Sequence, residues 1–188
     1  MLIDSKGVKT DKYYVPPFNL NSGEIVVIHL FSGSHYYDLK MKLVDIFTGK
    51  VKIDSVKIIQ PLTFVEHLNE PFLRRLFNPL TVGKYINLNV KQGNTIPEKL
   101  YGLNPINSRT KISSLPDNLR KALSLYCTLT STQDIIFDLD GIDPQSANDI
   151  YKIVKENVKN GGSAILLDWT DDLKGDCTKF ITVEVNEK

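Results

Sequence analysis

Glu24-Ile25-Val26-Val27-Ile28-His29-Leu30 is a nearly unbroken apolar, β-branched run, introduced by the turn cluster Asn21-Ser22-Gly23. Continuous rather than alternating apolarity predicts a strand covered on both faces, as in a parallel sheet flanked by helices. A short polar turn follows, Phe31-Ser32-Gly33-Ser34-His35. From Tyr36 to Phe47 the apolar residues Leu39, Leu43, Val44 and Phe47 then fall at helical spacing, and Gly49 stands where a helix stops. The unit is strand, glycine-containing turn, helix.

The C-terminal third repeats this alternation. Ile135-Ile136-Phe137 reads as a buried strand ending at Asp138. Residues 144–159 read as a helix, with Pro144 in its first turn and Ala147, Ile150, Ile153, Val154 and Val158 on one face. Gly161-Gly162 ends it, and Ala164-Ile165-Leu166-Leu167 forms another buried strand ending at Asp168. Residues 180–185 alternate and read as one edge or half-exposed strand. The pattern predicts an α/β fold with a mainly parallel sheet.

The middle is less regular. Pro61, Pro71, Pro79, Pro97 and Pro105 punctuate it, with amphipathic stretches at 64–77 and 82–90. Residues 117–129 read as a helix with Leu119, Ala122, Leu123, Tyr126 and Cys127 facing a core and Asp117 able to cap. The expected organisation is an α/β core of residues 1–61 and 121–188 with a small, partly helical subdomain of residues 62–120 inserted into it.

Composition bounds the function. The 188 residues carry 23 Lys and Arg against 22 Asp and Glu, a net charge of +1, which argues against a phosphate-neutralising nucleic-acid binder. At 41% hydrophobic and 24% charged residues the chain is not wholly disordered. Its longest apolar runs, 25–28 and 164–167, are far short of the ~18 residues a membrane helix needs, so no direct membrane insertion is expected. The N-terminal segment lacks a secretory pattern, which places the chain in the cytoplasm by expectation. Cys127 and Cys177 have no metal-ligand spacing and read as buried small hydrophobes.

The order of segments resembles the nucleotide-binding domain of ATP-binding-cassette transporters, from about Phe18 to Val185. Residues 18–28, with Gly23-Glu24, look like the strand entering the P-loop. Gly49-Lys50-Val51 looks like the glycine after the P-loop helix and the strand beyond it. Leu80-Thr81-Val82-Gly83-Lys84-Tyr85-Ile86 is similar to the opening of the family's helical subdomain. Gly141-Ile142-Asp143-Pro144 looks like its D-loop, 161–167 like the strand before its switch histidine, and Cys177-Thr178-Lys179-Phe180-Ile181 like the segment before its last strands. The resemblance implies a RecA-like P-loop NTPase core.

The stations that perform chemistry in that family are altered. A P-loop needs glycines whose N–H groups wrap phosphates, a lysine, and a hydroxyl for magnesium. Aligned from Gly23-Glu24, the loop keeps only Gly33. Ser34 and His35 follow it, Tyr36 stands at the lysine position, Tyr37 at the hydroxyl position, and Asp38 one residue beyond. A unit charge at about 4 Å is worth on the order of 4 kcal/mol at an effective dielectric of 20, so this exchange opposes ATP in the family's pose. Leu115-Pro116-Asp117-Asn118-Leu119 stands at the signature loop without its serine or glycines. Asp138 keeps the magnesium-associated carboxylate, but Leu139 stands at the general base and Thr170 at the switch histidine, while Gln60 is a Q-loop candidate of ambiguous register. Losing lysine, base and switch removes nucleophile activation and charge stabilisation.

The implied site is a vestigial nucleotide site of Gly33, Ser34, Tyr36, Tyr37, Asp38, Asp138 and Asp143, with no catalytic residue, no metal and no cofactor beyond weak Mg-ATP binding. Asp138 and Asp168 each end a strand. With Asp140 or Asp143 they read either as a divalent-metal site or, the favoured reading, as turn and helix caps. No histidine pair (His29, His35, His67) has zinc spacing. His29 reads as a strand-end packing residue and His35 as an exposed loop residue. Tyr36-Tyr37 with Tyr13-Tyr14 form either a partner platform or a plug in a vacated pocket. Trp169 is either an interface anchor or packing. Three functions stay open: a non-catalytic cassette pairing with another cassette-type subunit, itself, or a membrane-spanning partner; a degenerate NTPase that still binds nucleotide; and an unrelated α/β binding or adaptor protein. The first is preferred.

Overall fold

The computed structural model describes residues 1–33, 35–90 and 106–186. Four short strands, β1 (Ile3–Ser5), β2 (Val8–Lys9), β3 (Tyr13–Val15) and β4 (Phe18–Leu20), lead into β5 (Ile25–His29), helix α1 (Tyr36–Phe47), β6 (Val56–Ile58) and β7 (Thr63–Phe64). Helices α2 (Phe72–Phe77), α3 (Val82–Asn89) and α4 (Asp117–Leu129) follow, with a 3-10 turn at Ile112–Ser114 before the last. The chain continues through β8 (Asp134–Asp138), α5 (Pro144–Lys159), β9 (Ser163–Asp168), β10 (Lys179–Thr182) and β11 (Glu184–Val185).

The chain divides into two compact units. The first, Met1–Phe64 with Gln133–Asp140 and Lys152–Lys188, holds all three sheets. Its central sheet has five strands in the order β10-β5-β9-β8-β7, every pair parallel. The apolar run at 25–28 is fully buried because β5 has neighbours on both sides and α1 over it; β9 is buried throughout for the same reason. α1 buries Leu39, Leu43, Val44, Ile46 and Phe47, each worth about 1.5–3 kcal/mol, and Phe47 meets Phe18 edge-on at 5.6 Å. β1 pairs antiparallel with β4 and β6, and β3 with β2 and β11, in two three-stranded sheets.

The second unit is Val65–Thr132 with Gly141–Tyr151, and its regular elements among the described residues are helices. Its core gathers Val82, Ile86, Ile106, Ile112, Leu115, Leu123 and Cys127. Lys121 is only 1% exposed and its Nζ donates to the Val65 carbonyl at 3.0 Å.

Several local expectations change. The segment 180–185 is two strands in two sheets, because Val183 is buried and its N–H donates to the His29 carbonyl, ending one ladder before Glu184 starts the next. The strand expected at Val51 lies at Val56–Ile58, and Val51 is an exposed turn residue whose N–H donates to the Asp45 carbonyl. Pro116, its φ held at −56°, takes the cap of α4, so Asp117 is the first helical residue and binds the Arg120 guanidinium instead. Cys127 is buried, whereas Cys177 is partly exposed. The stretch 64–77 contains one helix, α2, that buries none of its residues.

Candidate functional site

β8 and β9 are neighbours, in register Asp138 with Leu167, so Asp138 and Asp168 stand on adjacent strands at the carboxyl edge of the parallel sheet. In an α/β fold that edge is where ligands bind. α1, which follows β5, brings two side chains to it from successive turns. Tyr36 and Lys40 are four residues apart and share one helix face.

Lys40 occupies the centre of the site. Its Nζ donates to Asp138 Oδ2 at 3.0 Å and to Asp140 Oδ2 at 2.5 Å. The Tyr36 hydroxyl donates to the other Asp140 oxygen at 2.6 Å. The ammonium also lies 5.5 Å from the Tyr36 ring centroid and 5.4 Å from that of Tyr37, within cation–π range. Lys40 is 5% exposed and Asp138 4%, so this is a buried, charge-assisted cluster and not a surface ion pair. Lysine is seldom buried without such partners. The signal for it was present in the sequence. Lys40 falls on the same helical stripe as Tyr36, Val44 and Phe47, where a cation demands a buried anion, but position-by-position comparison with a P-loop gives it no role.

The electrostatics follow from this packing. Burial opposes the charge on Lys40, but the hydrogen bond to Asp140 and the charge of Asp138 outweigh it and hold the amine above the ordinary lysine range. Burial and the bond to Asp140 push the Tyr36 phenol well above its usual range. Both groups bind their protons more tightly in the folded chain, so the stability they contribute is complete below their unfolded values, near 10 to 10.4, and is lost as pH rises through the folded ones. Urea titrations from pH 8 to 11 should therefore show stability falling above about pH 10. The fall should be markedly smaller in Lys40→Met, Tyr36→Phe.

Burial raises the Asp168 carboxyl above its usual range, against the N–H groups of Trp169 (2.7 Å) and Thr170 (3.3 Å) and the Thr170 hydroxyl (3.2 Å), which all bond to it. Asp168 thus closes its own turn. Asp143, in the helical unit, accepts the Ser146 N–H at 3.0 Å at the start of α5, which keeps its carboxyl below the usual range. These two aspartates do what the capping reading expects. Asp138 does not, since Lys40 holds it. Among the described residues no three His, Cys, Asp or Glu side chains converge as a metal cage.

The remaining expected positions disperse. Gly33 is exposed just before α1, and Ser34 lies outside the described residues. Tyr37 is 64% exposed, so of the two tyrosines only Tyr36 fills space among the carboxylates. Asp38 is exposed and lines an open pocket of about 370 Å³ with Lys12, His35 and Lys42. His35 is half-buried and its ring meets the Lys12 amine at 2.5 Å, so it is not the free loop residue expected. Leu139 is buried. Gln60 donates to Asp134 at the far end of β8. His29 ends β5 as expected, its ring stacked on Phe180 at 5.5 Å and Nε2 3.2 Å from the Trp169 carbonyl. Trp169 is 52% exposed, at the surface just beyond the end of β9.

No protein-family model and no curated protein sequence matches the chain. Solved structures do. A nucleotide-free ATP-binding cassette from an ABC transporter superposes with a TM-score of 0.68 at 14% identity, over 99% of this chain and 90% of the other. CbiO1 from Clostridium perfringens, part of the cbiONQ ABC transporter complex, gives 0.67 at 14% identity over 99% and 87%. A bacterial ABC transporter cassette solved as a dimer gives 0.66 at 14% identity, over the full length of both chains. Likeness at this identity carries the fold.

Proposed function

From the ATP-binding-cassette fold that the chain has, we propose that it is a non-catalytic cassette, a pseudo-ATPase that serves as a structural or regulatory subunit of a transporter-like complex. The observation that carries this reading is the Lys40 ammonium on Asp138 and Asp140. In a P-loop ATPase the strand-end aspartate is read by magnesium and the phosphates by a lysine from the loop. Here one internal cation neutralises Asp138 from the helix side, and the sequence resemblance aligns Tyr36 with the loop lysine. Magnesium would have to displace a buried ammonium held by two carboxylates, and it dehydrates reluctantly. The residues present do not fit magnesium-bound nucleotide. Leu139 offers no base to activate water, and Thr170 is engaged with Asp168.

A subunit of this kind acts through its partners. One similar structure is a dimer and another is part of a transporter complex, which supports a second cassette-type chain, or a second copy, as the partner class. The test is phosphate release from Mg-ATP by the purified chain, alone and with an active cassette co-expressed from the same source. No release above background is expected from the chain alone. Turnover that survives Lys40→Ala and vanishes in Asp138→Asn would overturn the reading.

A further inference from the structure

Among the described residues, the helical unit carries one helix whose side chains are left exposed. α2 reads Phe72-Leu73-Arg74-Arg75-Leu76-Phe77 and buries none of its residues. Phe72, Leu73, Leu76 and Phe77 are 67%, 68%, 62% and 79% exposed. At 100° per residue the four apolar side chains span an arc of about 140°, and the two arginines fill the opposite side. The Arg75 guanidinium lies over the Phe72 ring at 5.9 Å from its centroid, so a positive charge borders the apolar ridge. α2 contains no acidic residue.

Charge distribution singles out the same unit. Val65–Thr132 with Gly141–Tyr151 holds nine Lys and Arg against six Asp and Glu, a net charge of +3, while the rest of the chain holds fourteen against sixteen, a net charge of −2. The near-neutral total therefore conceals a basic helical unit with an exposed aromatic and aliphatic ridge.

We propose that α2 is an interfacial anchor that seats this chain on an anionic lipid surface, its four apolar side chains entering the headgroup–acyl boundary and Arg74 and Arg75 meeting lipid phosphates. A short protruding ridge with flanking arginines needs no matching groove in a lipid surface, and an anionic leaflet attracts a unit of this sign. Six residues of helix rise only about 9 Å, so the anchor lies in the interface and does not span it. Among the described residues no helix is long and apolar enough to cross a membrane. This attachment is independent of the nucleotide site.

The test is co-sedimentation of the full chain with vesicles of phosphatidylcholine, alone or with roughly a third phosphatidylglycerol, at low and high salt. Binding to the anionic vesicles is expected to exceed binding to the neutral ones at least tenfold and to weaken as salt rises. Arg74→Gln with Arg75→Gln should lower it roughly thirtyfold, about fivefold per arginine, and Arg74→Lys with Arg75→Lys should restore most of it. Phe72→Ser with Phe77→Ser should abolish the remainder. All six side chains lie on a helix with no buried residue, so thermal unfolding should stay at the wild-type temperature, and the arginine pairs decide the matter even if the serine pair does not. No binding to anionic vesicles, equal binding by the glutamine pair, equal binding to neutral vesicles, or competition by inorganic phosphate would each overturn the proposal. The same holds if α2 variants lose a protein partner while vesicle binding stays intact.

Discussion

Lys40→Ala is expected to destabilise the chain by about 3–5 kcal/mol, the cost of removing one partner from a buried ion pair. For a chain of this length that lowers Tm by roughly 10 °C or more. The reason is geometric. Lys40 and Asp138 have side chains 6% exposed, and the amine faces a second carboxylate, Asp140, which is about one-third exposed. Without the cation, two like charges share a poorly hydrated corner beneath Tyr36. Lys40→Met with Asp138→Asn should recover part of the loss, a coupling of about 1–3 kcal/mol in a double-mutant cycle. A second readout separates a charge role from a packing role. Magnesium should raise the Tm of Lys40→Ala by binding the freed carboxylates and leave the wild-type Tm unmoved. A Lys40→Ala protein as stable as the wild type, or indifferent to magnesium, would show that the cluster does not hold the site.

The second large effect concerns recovery of nucleotide binding. The sequence alone points to Tyr36→Lys with Asp38→Thr, which restores the loop lysine and a hydroxyl near the magnesium position. The structure adds a third exchange. In the double variant a new lysine one turn before Lys40 places two ammonium groups against the same carboxylates, and Asp138 stays occupied. No gain in Mg-ATP affinity is expected from the double variant. Adding Lys40→Leu, which matches the leucine-rich stripe of α1, releases Asp138 and removes the second cation. A unit charge at about 4 Å is worth on the order of 4 kcal/mol at an effective dielectric of 20; half of that survives a site open on one side, about a thirtyfold gain in affinity. Calorimetric titration of the two variants side by side reads this directly. Equal affinities would mean that Lys40 does not block the site.

The long elements are legible because many residues vote for each. The stripe Leu39, Leu43, Val44, Phe47 and the cap glycine at 49 place α1 at Tyr36–Phe47, and Pro144 with its apolar face places α5 at Pro144–Lys159. The strands of the N-terminal region escape such reading. Ile3–Ser5 and Phe18–Leu20 are three residues each, too short to show a period, and they exist because they pair with one another across the chain. The junction at Val183 escapes for a related reason, since alternation continues through it while the partner strand changes.

The site is legible in part. Asp138 and Asp168 at strand ends can be read directly, whereas Tyr36 at the loop-lysine position is what the resemblance implies. Lys40 cannot be read from motif positions, because its role arises from Asp138 and Asp140 nearly a hundred residues away and from a tyrosine one turn before it. What does foretell it is a lysine on an apolar stripe. α2 is similar: its amphipathic pattern is visible, but the pattern cannot say that its apolar side chains are exposed.

Under the proposed function, an internal lysine holds the strand-end aspartate of this cassette fold and so keeps out magnesium nucleotide. The measurement that bears on it most directly is calorimetric titration of Mg-ATP into the purified wild-type chain. The prediction is no saturable heat at nucleotide concentrations into the millimolar range. Saturable one-site binding in the micromolar range, abolished by Asp138→Asn, would contradict it.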